Sequence, residues 1–215
     1  VNADVAAACT SKGSPSADRF EAAGPEVWQG VLAEGAEVGL LRLLGAHHYE
    51  IHPALPWYLE RKLAGLSDAG FRAGLEARWR EVYAEVGRQL DRMSMTGGHT
   101  AAFAAEARFE EPNLLRALEA SLGIGQWMHA QAVVQAIDEL WKRSGRNAER
   151  EALLGEIRDA TASGKRGNGD LEAFDLWMFA EGALASIAMA RMDLDGAESV
   201  CRAIIGRLED SKHPK

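Results

Sequence analysis

The sequence predicts a mainly α-helical protein that carries one short β-hairpin. Three observations lead there. Residues 111–143 read as two helices folded back on each other across a Gly-containing turn. Apolar residues recur at steps of three and four through most of the chain after residue 69, the period of a helix with one buried face. Only residues 38–52 depart from that period: there an apolar run is followed by alternation of polar and apolar residues, the period of a half-buried strand.

The helical pair is the most sharply written element. Pro112 suits the first turn of a helix, where its missing N–H is not needed. Leu114, Leu118 and Leu122 make an apolar edge, and Gly123 and Gly125 stop the helix. A second helix, 126–143, follows with Trp127, Ala130, Val134, Ile137 and Trp141 on one face, closed by Ser144 and Gly145. So short a turn makes the two stripes face each other, with Ala117 and Ala130 near the crossing.

The remaining elements follow in chain order. Residues 1–24, rich in Ala, Ser and Gly, read as a flexible N-terminal linker. Pro25 opens a short helix with Val27, Trp28, Val31 and Leu32. The hairpin over 39–52 ends at Pro53, and Pro56 starts a helix through Trp57, Tyr58 and Leu63; together these make a second region, 25–65. Ser67 or Asp68 caps a long helix over about 69–94, with Phe71, Leu75, Trp79, Val82, Val86, Leu90 and Met93 inward. A short helix over 100–108 presents Phe103 and Ala107. Beyond the central pair, Asn147 caps a helix with Leu153, Leu154 and Ile157 inward. Residues 163–169 form a loop, and Asp170 and Asp193 open the last two helices. Cys201 falls on the apolar stripe of the final helix and is expected in the core. Residues 66–215 thus form one helical region.

Composition narrows the function. The chain has 215 residues and a net charge of −8, which disfavours nucleic acid and anionic membranes as partners. Cys9 and Cys201 have neither metal nor redox spacing, which fits a reducing, cytoplasmic setting. No run is expected to reach a membrane span of roughly 20 apolar residues, and the opening residues lack the basic start and apolar core of a signal peptide.

Leu114, Ala117, Leu118, Gly125, Trp127 and Ala130 match the positions of a tetratricopeptide repeat, so the central pair resembles that family. Ser121 stands where a larger residue is usual. Leu184, Ala185, Leu194, Ala197 and Ile204 match a second repeat, with Met192 in place of the turn Gly. The spacing between the matches is irregular. The string GLLRLLGAHHYEIHPALPWYL, with ARFEEPNLLRALEASLGIGQWMHAQ and WKRSGRNAE, resembles the region that follows the nucleotide-binding core in STAND-type signalling ATPases. That resemblance implies an antiparallel helix-pair solenoid, TPR-like, preceded by a winged-helix-like hairpin. It also implies a sensor or regulatory role with a protein or peptide partner. The chain itself carries no GxxxxGK[ST] motif.

Several residues invite a chemical reading. His48, Glu50 and His52 alternate, so on a strand they share a face and can in principle hold a transition metal, with His47 beside them; the solvated face of a hairpin is the simpler account. Arg42 is the hairpin's one permanent cation, which limits a winged-helix module to weak nucleic-acid binding. Lys165 and Arg166 lie between glycines without phosphate-loop spacing. Glu110 and Glu111 are expected at a helix N-terminus, not as an acid–base pair. No catalytic residue, cofactor or metal is expected. The partner face is assigned to Asn113, Arg116 and Glu119, which are three residues apart on the first helix of the central pair.

Overall fold

The structure, a computed structural model, describes residues 2–11, 23–45, 48–66, 69–96, 100–162 and 171–212. Among them are nine helices and one two-stranded antiparallel sheet: α1 (Ala3–Thr10), α2 (Pro25–Glu37), β1 (Leu41–Gly45), β2 (His48–Ile51), α3 (Leu55–Leu66), α4 (Ala69–Met95), α5 (Thr100–Leu122), α6 (Trp127–Arg143), α7 (Asn147–Thr161), α8 (Leu171–Ala190) and α9 (Leu194–Lys212). The chain divides into two compact units, Val1–Tyr83 and Ala84–Lys215. The mainly helical class and the hairpin are as expected. His47, Ser67, Asp68, Lys165, Arg166 and Asp170 lie outside the described residues.

The first unit is built on its own N-terminus, where the sequence suggested a linker. Asn2 caps α1 by accepting a hydrogen bond from the Asp4 N–H at 2.8 Å. Ala3 then joins Leu32 of α2 and Tyr49 of β2 in a small core, with Trp28, Ala36 and Leu41 against it. Three polar contacts fasten the rest of α1. The Trp28 indole N–H donates to Thr10 Oγ1 at 2.9 Å. The Arg78 guanidinium of α4 donates to the Ala8 carbonyl at 3.2 Å and to Ser11 Oγ at 3.3 Å. Composition does not announce such a helix, because its supports come from residues far along the chain.

In the sheet Leu41 pairs with Ile51, Arg42 with Glu50, Leu43 with Tyr49 and Gly45 with His48, with a register shift between Leu43 and Gly45. His48 and Tyr49 are both buried although neighbours on a strand point to opposite faces. Tyr49 faces the core just described, and its hydroxyl accepts from Gln29 Nε2 at 3.0 Å. His48 itself forms an antiparallel bridge with Asn2.

In the second unit α5 is one continuous helix, which corrects the expected break between a helix over 100–108 and another opening at Pro112. Pro112 lies in its interior and leaves the Arg108 carbonyl without its usual donor. The reason lies in the burial stripe: Phe103, Ala107, Glu110, Leu114, Ala117, Leu118 and Ser121 are buried in unbroken helical period, while Pro112 is exposed. Packing along the whole stripe outweighs the one lost hydrogen bond.

Helices α5 and α6 pack closely, as do α7 with α8 and α8 with α9, and α6 also meets α7 and α8. Ala130 is fully buried, as the pairing requires. A closer approach escaped the sequence reading. A Cβ placed on Gly87 of α4 would run into the carbonyl of Ala132 on α6. Three inter-helix turns share one geometry. Gly125 (φ 71°), Gly145 (φ 73°) and Met192 (φ 59°) are left-handed. In each, the next residue's N–H returns to a carbonyl five residues earlier: Gln126 to Ser121, Arg146 to Trp141 and Asp193 to Ala188. The expected cap Asn147 is the first residue of α7, one place inside the turn residue Arg146.

One expectation about membranes is also corrected. By length and composition alone α8 is apolar enough to span one, with a mean hydropathy of 1.3. Within the unit Phe174, Leu176, Trp177, Ala180 and Ile187 are buried, and α8 lies against α6, α7 and α9.

Candidate functional site: two exposed faces

The face expected to meet a partner is only partly available. Arg116 and Glu119 are exposed on α5. Asn113 is half-buried, and its Nδ2 donates to Glu110 Oε2 at 2.9 Å. Glu110 is 1 % exposed, so the amide of Asn113 supplies a hydrogen bond to a carboxylate that water does not reach. Asn113 therefore works inward. Glu110 and Glu111 lie in mid-helix, not at a helix start. Glu111 Oε1 accepts from the Trp141 indole at 2.8 Å and from Arg146 at 2.6 Å, while the Arg146 guanidinium stacks 4.6 Å from the Trp141 ring centroid. This clamp ties the middle of α5 to the end of α6 and the turn into α7. Glu149 holds Arg146 from the other side at 3.0 Å, and its carboxyl is lowered by a hydrogen bond to its own backbone and by Arg146.

The possible metal face does not form. Glu50 is exposed and ion-paired with Arg42 at 2.5 Å. His52 is exposed and its Nδ1 accepts from the Ala54 N–H at 3.3 Å. His48 is buried, and among the described residues the three do not gather at ligating distance. The same ion pair engages Arg42, the hairpin's one permanent cation in the sequence. Cys201 is exposed, which corrects its placement in the core. Cys9 is the buried thiol, and burial pushes its pKa up to about 11 despite Arg78 nearby.

The tryptophans separate clearly. Trp141 and Trp177 are buried, and Trp28, Trp79 and Trp127 are half-buried. Trp57 is 63 % exposed on α3, next to Tyr58 at 49 %. The Arg61 guanidinium lies 4.8 Å from the Trp57 ring centroid and the Lys62 ammonium 5.6 Å from that of Tyr58. Tyr58, Arg61 and Lys62 line a shallow cleft of about 270 Å³. Trp57 thus stands on the outside of α3, unlike the other five tryptophans.

The fold defines a mainly α-helical protein with a small antiparallel sheet, a charged face on α5 and an aromatic–cationic face on α3. Compared with known proteins, the chain matches no family model, no curated protein and no solved structure.

Proposed function

We propose that this chain is a non-enzymatic scaffold that binds a protein or peptide, and that it serves as a sensor or regulatory part of a STAND-type ATPase. The observation that carries the reading is the repeated hairpin: α5–α6 and α8–α9 are antiparallel pairs closed by the same left-handed turn at the positions where the tetratricopeptide pattern has its turn residue. Stacked pairs of this kind present side chains of their first helices in a row, a surface suited to an extended partner. Arg116 and Glu119 are the exposed members of that row on α5. Arg116 can grip a carboxylate through two donors, and Glu119 can accept from a partner's amide or cation. The hairpin followed by α3 supports the winged-helix-like assignment of the preceding region.

The test is cross-linking capture with the intact chain and with Arg116→Ala combined with Glu119→Ala. Both sites are exposed, so the melting temperature should stay within the reach of about 0.5 kcal/mol. The captured partner should be reduced severalfold. Full capture by a folded double variant moves the site off α5, and nucleic acid as the sole captured species removes the scaffold reading.

A further inference from the structure

Helix α3 is left uncovered by its own unit. From Pro56 to Lys62 every residue is exposed, and only Leu55 and Leu63 are partly shielded among the described residues of the helix. Those two fall on one side with Leu59. Trp57, Tyr58, Arg61 and Lys62 share another side, since residues four apart stand one above the other. Glu60 lies off that side. Among the described residues neither Arg61 nor Lys62 enters an ion pair, in a chain whose other exposed arginines are largely matched with carboxylates.

We propose that the Trp57–Tyr58–Arg61–Lys62 face of α3 docks an acidic, leucine-bearing peptide segment of a partner protein. The argument is complementarity. Each cation rests on an aromatic ring of its own helix, which holds it in place on the exposed face. A carboxylate meeting Arg61 then gains two parallel hydrogen bonds without ordering a loose side chain, and one meeting Lys62 gains a charge-assisted bond. The cleft between Tyr58, Arg61 and Lys62 admits an apolar side chain against the ring. An anionic lipid surface is the less fitting partner. A helix that lies on a membrane sinks its large apolar rings with its leucines, whereas here Trp57 and Tyr58 stand with the cations, and Leu55 and Leu63 on the leucine side are partly shielded.

The proposal rests on the reading of the chain as protein-binding but uses a different face from Arg116 and Glu119, so the two can fail separately. The probe is a fluorescein-labelled peptide alternating Leu and Glu, titrated with the intact protein and read by anisotropy. The same peptide with Lys for Glu serves as control, and phosphatidylserine vesicles form a second arm. Saturable binding to the Glu peptide is expected, weakening as salt rises and falling roughly 10-fold or more in R61E/K62E. R61Q/K62Q should give an intermediate loss with an unchanged circular dichroism spectrum. Equal binding of the Lys peptide, binding that both double variants retain, or binding to vesicles alone would each overturn the proposal. If R116A/E119A abolishes partner capture while R61E/K62E changes nothing, the scaffold reading survives and this inference falls.

Discussion

Helices α5 and α6 turn into each other as α8 and α9 do, with the same backbone hydrogen bond returning five residues, yet the two hairpins are held very differently. In α6 eight residues are buried, among them Ala130, Val133, Val134, Ile137 and Trp141. In α9 only Ala197 is buried among the described residues, while Leu194, Cys201 and Ile205 face outward. The turn at the first hairpin uses Gly125, and the second uses Met192 in the same left-handed conformation. The difference teaches that turn geometry follows from closing two helices on each other, whereas the depth of the core depends on what lies beyond them. Helix α6 has α4, α5, α7 and α8 around it; α9 is packed chiefly on α8.

The largest effect should come from the crowded side of that comparison. Gly87→Ala drives a methyl group into the Ala132 carbonyl, a backbone atom that cannot swing aside. We expect a loss of about 2–3 kcal/mol, at the upper end of overpacking, measured by urea unfolding. Ala130→Leu, buried between α5 and α6, should cost about 1–3 kcal/mol. If Gly87→Ala melts with the wild type, α4 and α6 are not in contact at that point and the central hairpin is less enclosed than described.

A smaller effect isolates the turns. Met192 is exposed and carries a left-handed strain that Gly does not feel. Met192→Gly should therefore stabilise by about 0.5–1 kcal/mol even though it adds a glycine. Gly145→Ala should do the opposite by about 1 kcal/mol. A Cβ there meets nothing within 4 Å, so the cost is conformational alone. A Met192→Gly variant that loses stability would show that α9 is fastened by the methionine side chain and not by the turn.

The same contrast explains what the sequence made legible. The central hairpin could be read because its stops are local: Gly125 and Gly145 sit where the left-handed turns fall. The continuity of α5 could not, because Pro112 is a strong local signal and the stripe that overrides it extends from Phe103 to Ser121. Helix α1 was invisible for a related reason, since Trp28 and Arg78 support it from a distance. Cys201 was misplaced because α9 buries a narrower stripe than its apolar content suggests. At the candidate site Arg116 and Glu119 were legible as surface residues. Asn113 was not recognised as inward, because nothing in the sequence says that Glu110 is buried. Gly87 offered one usable signal: a glycine inside a long helical pattern carries a propensity cost that asks for a packing reason.

Ser121 gives a finer measure of the central hairpin. Its Oγ is buried and, among the described residues, has no hydrogen-bond partner. It is also the position where the tetratricopeptide pattern favours a larger residue. Ser121→Ala removes a desolvated hydroxyl without adding bulk and should raise stability by about 0.5–1 kcal/mol. A loss on thermal melting would mean that the hydroxyl is satisfied in solution and that the end of α5 is more open than its burial indicates.

The smallest effect belongs to the outer hairpin and is exposed only by changing pH. Glu181 of α8 is 5 % exposed, and burial raises its carboxyl above the ordinary value; Arg158 and Arg207 oppose the shift and Asp159 adds to it. Arg207 reaches this region from α9, stacked 4.2 Å from the Trp177 ring centroid and donating to the Thr161 carbonyl at 3.2 Å. A carboxyl raised in the folded state binds its proton more tightly there than in the unfolded chain. Its contribution is therefore fully present below the ordinary carboxylate pKa and is lost as pH rises through the raised value. Above that window the buried charge works against α8–α9 docking, and Arg207 only partly offsets it. Glu181→Gln keeps the shape and removes the charge. It should leave stability unchanged in acid and raise it at neutral pH, so that urea midpoints of the two proteins diverge as pH increases. Parallel midpoints across the range would mean that Glu181 is solvated in the folded protein, and that the outer hairpin is looser around α8 than the packing of Phe174 and Trp177 implies.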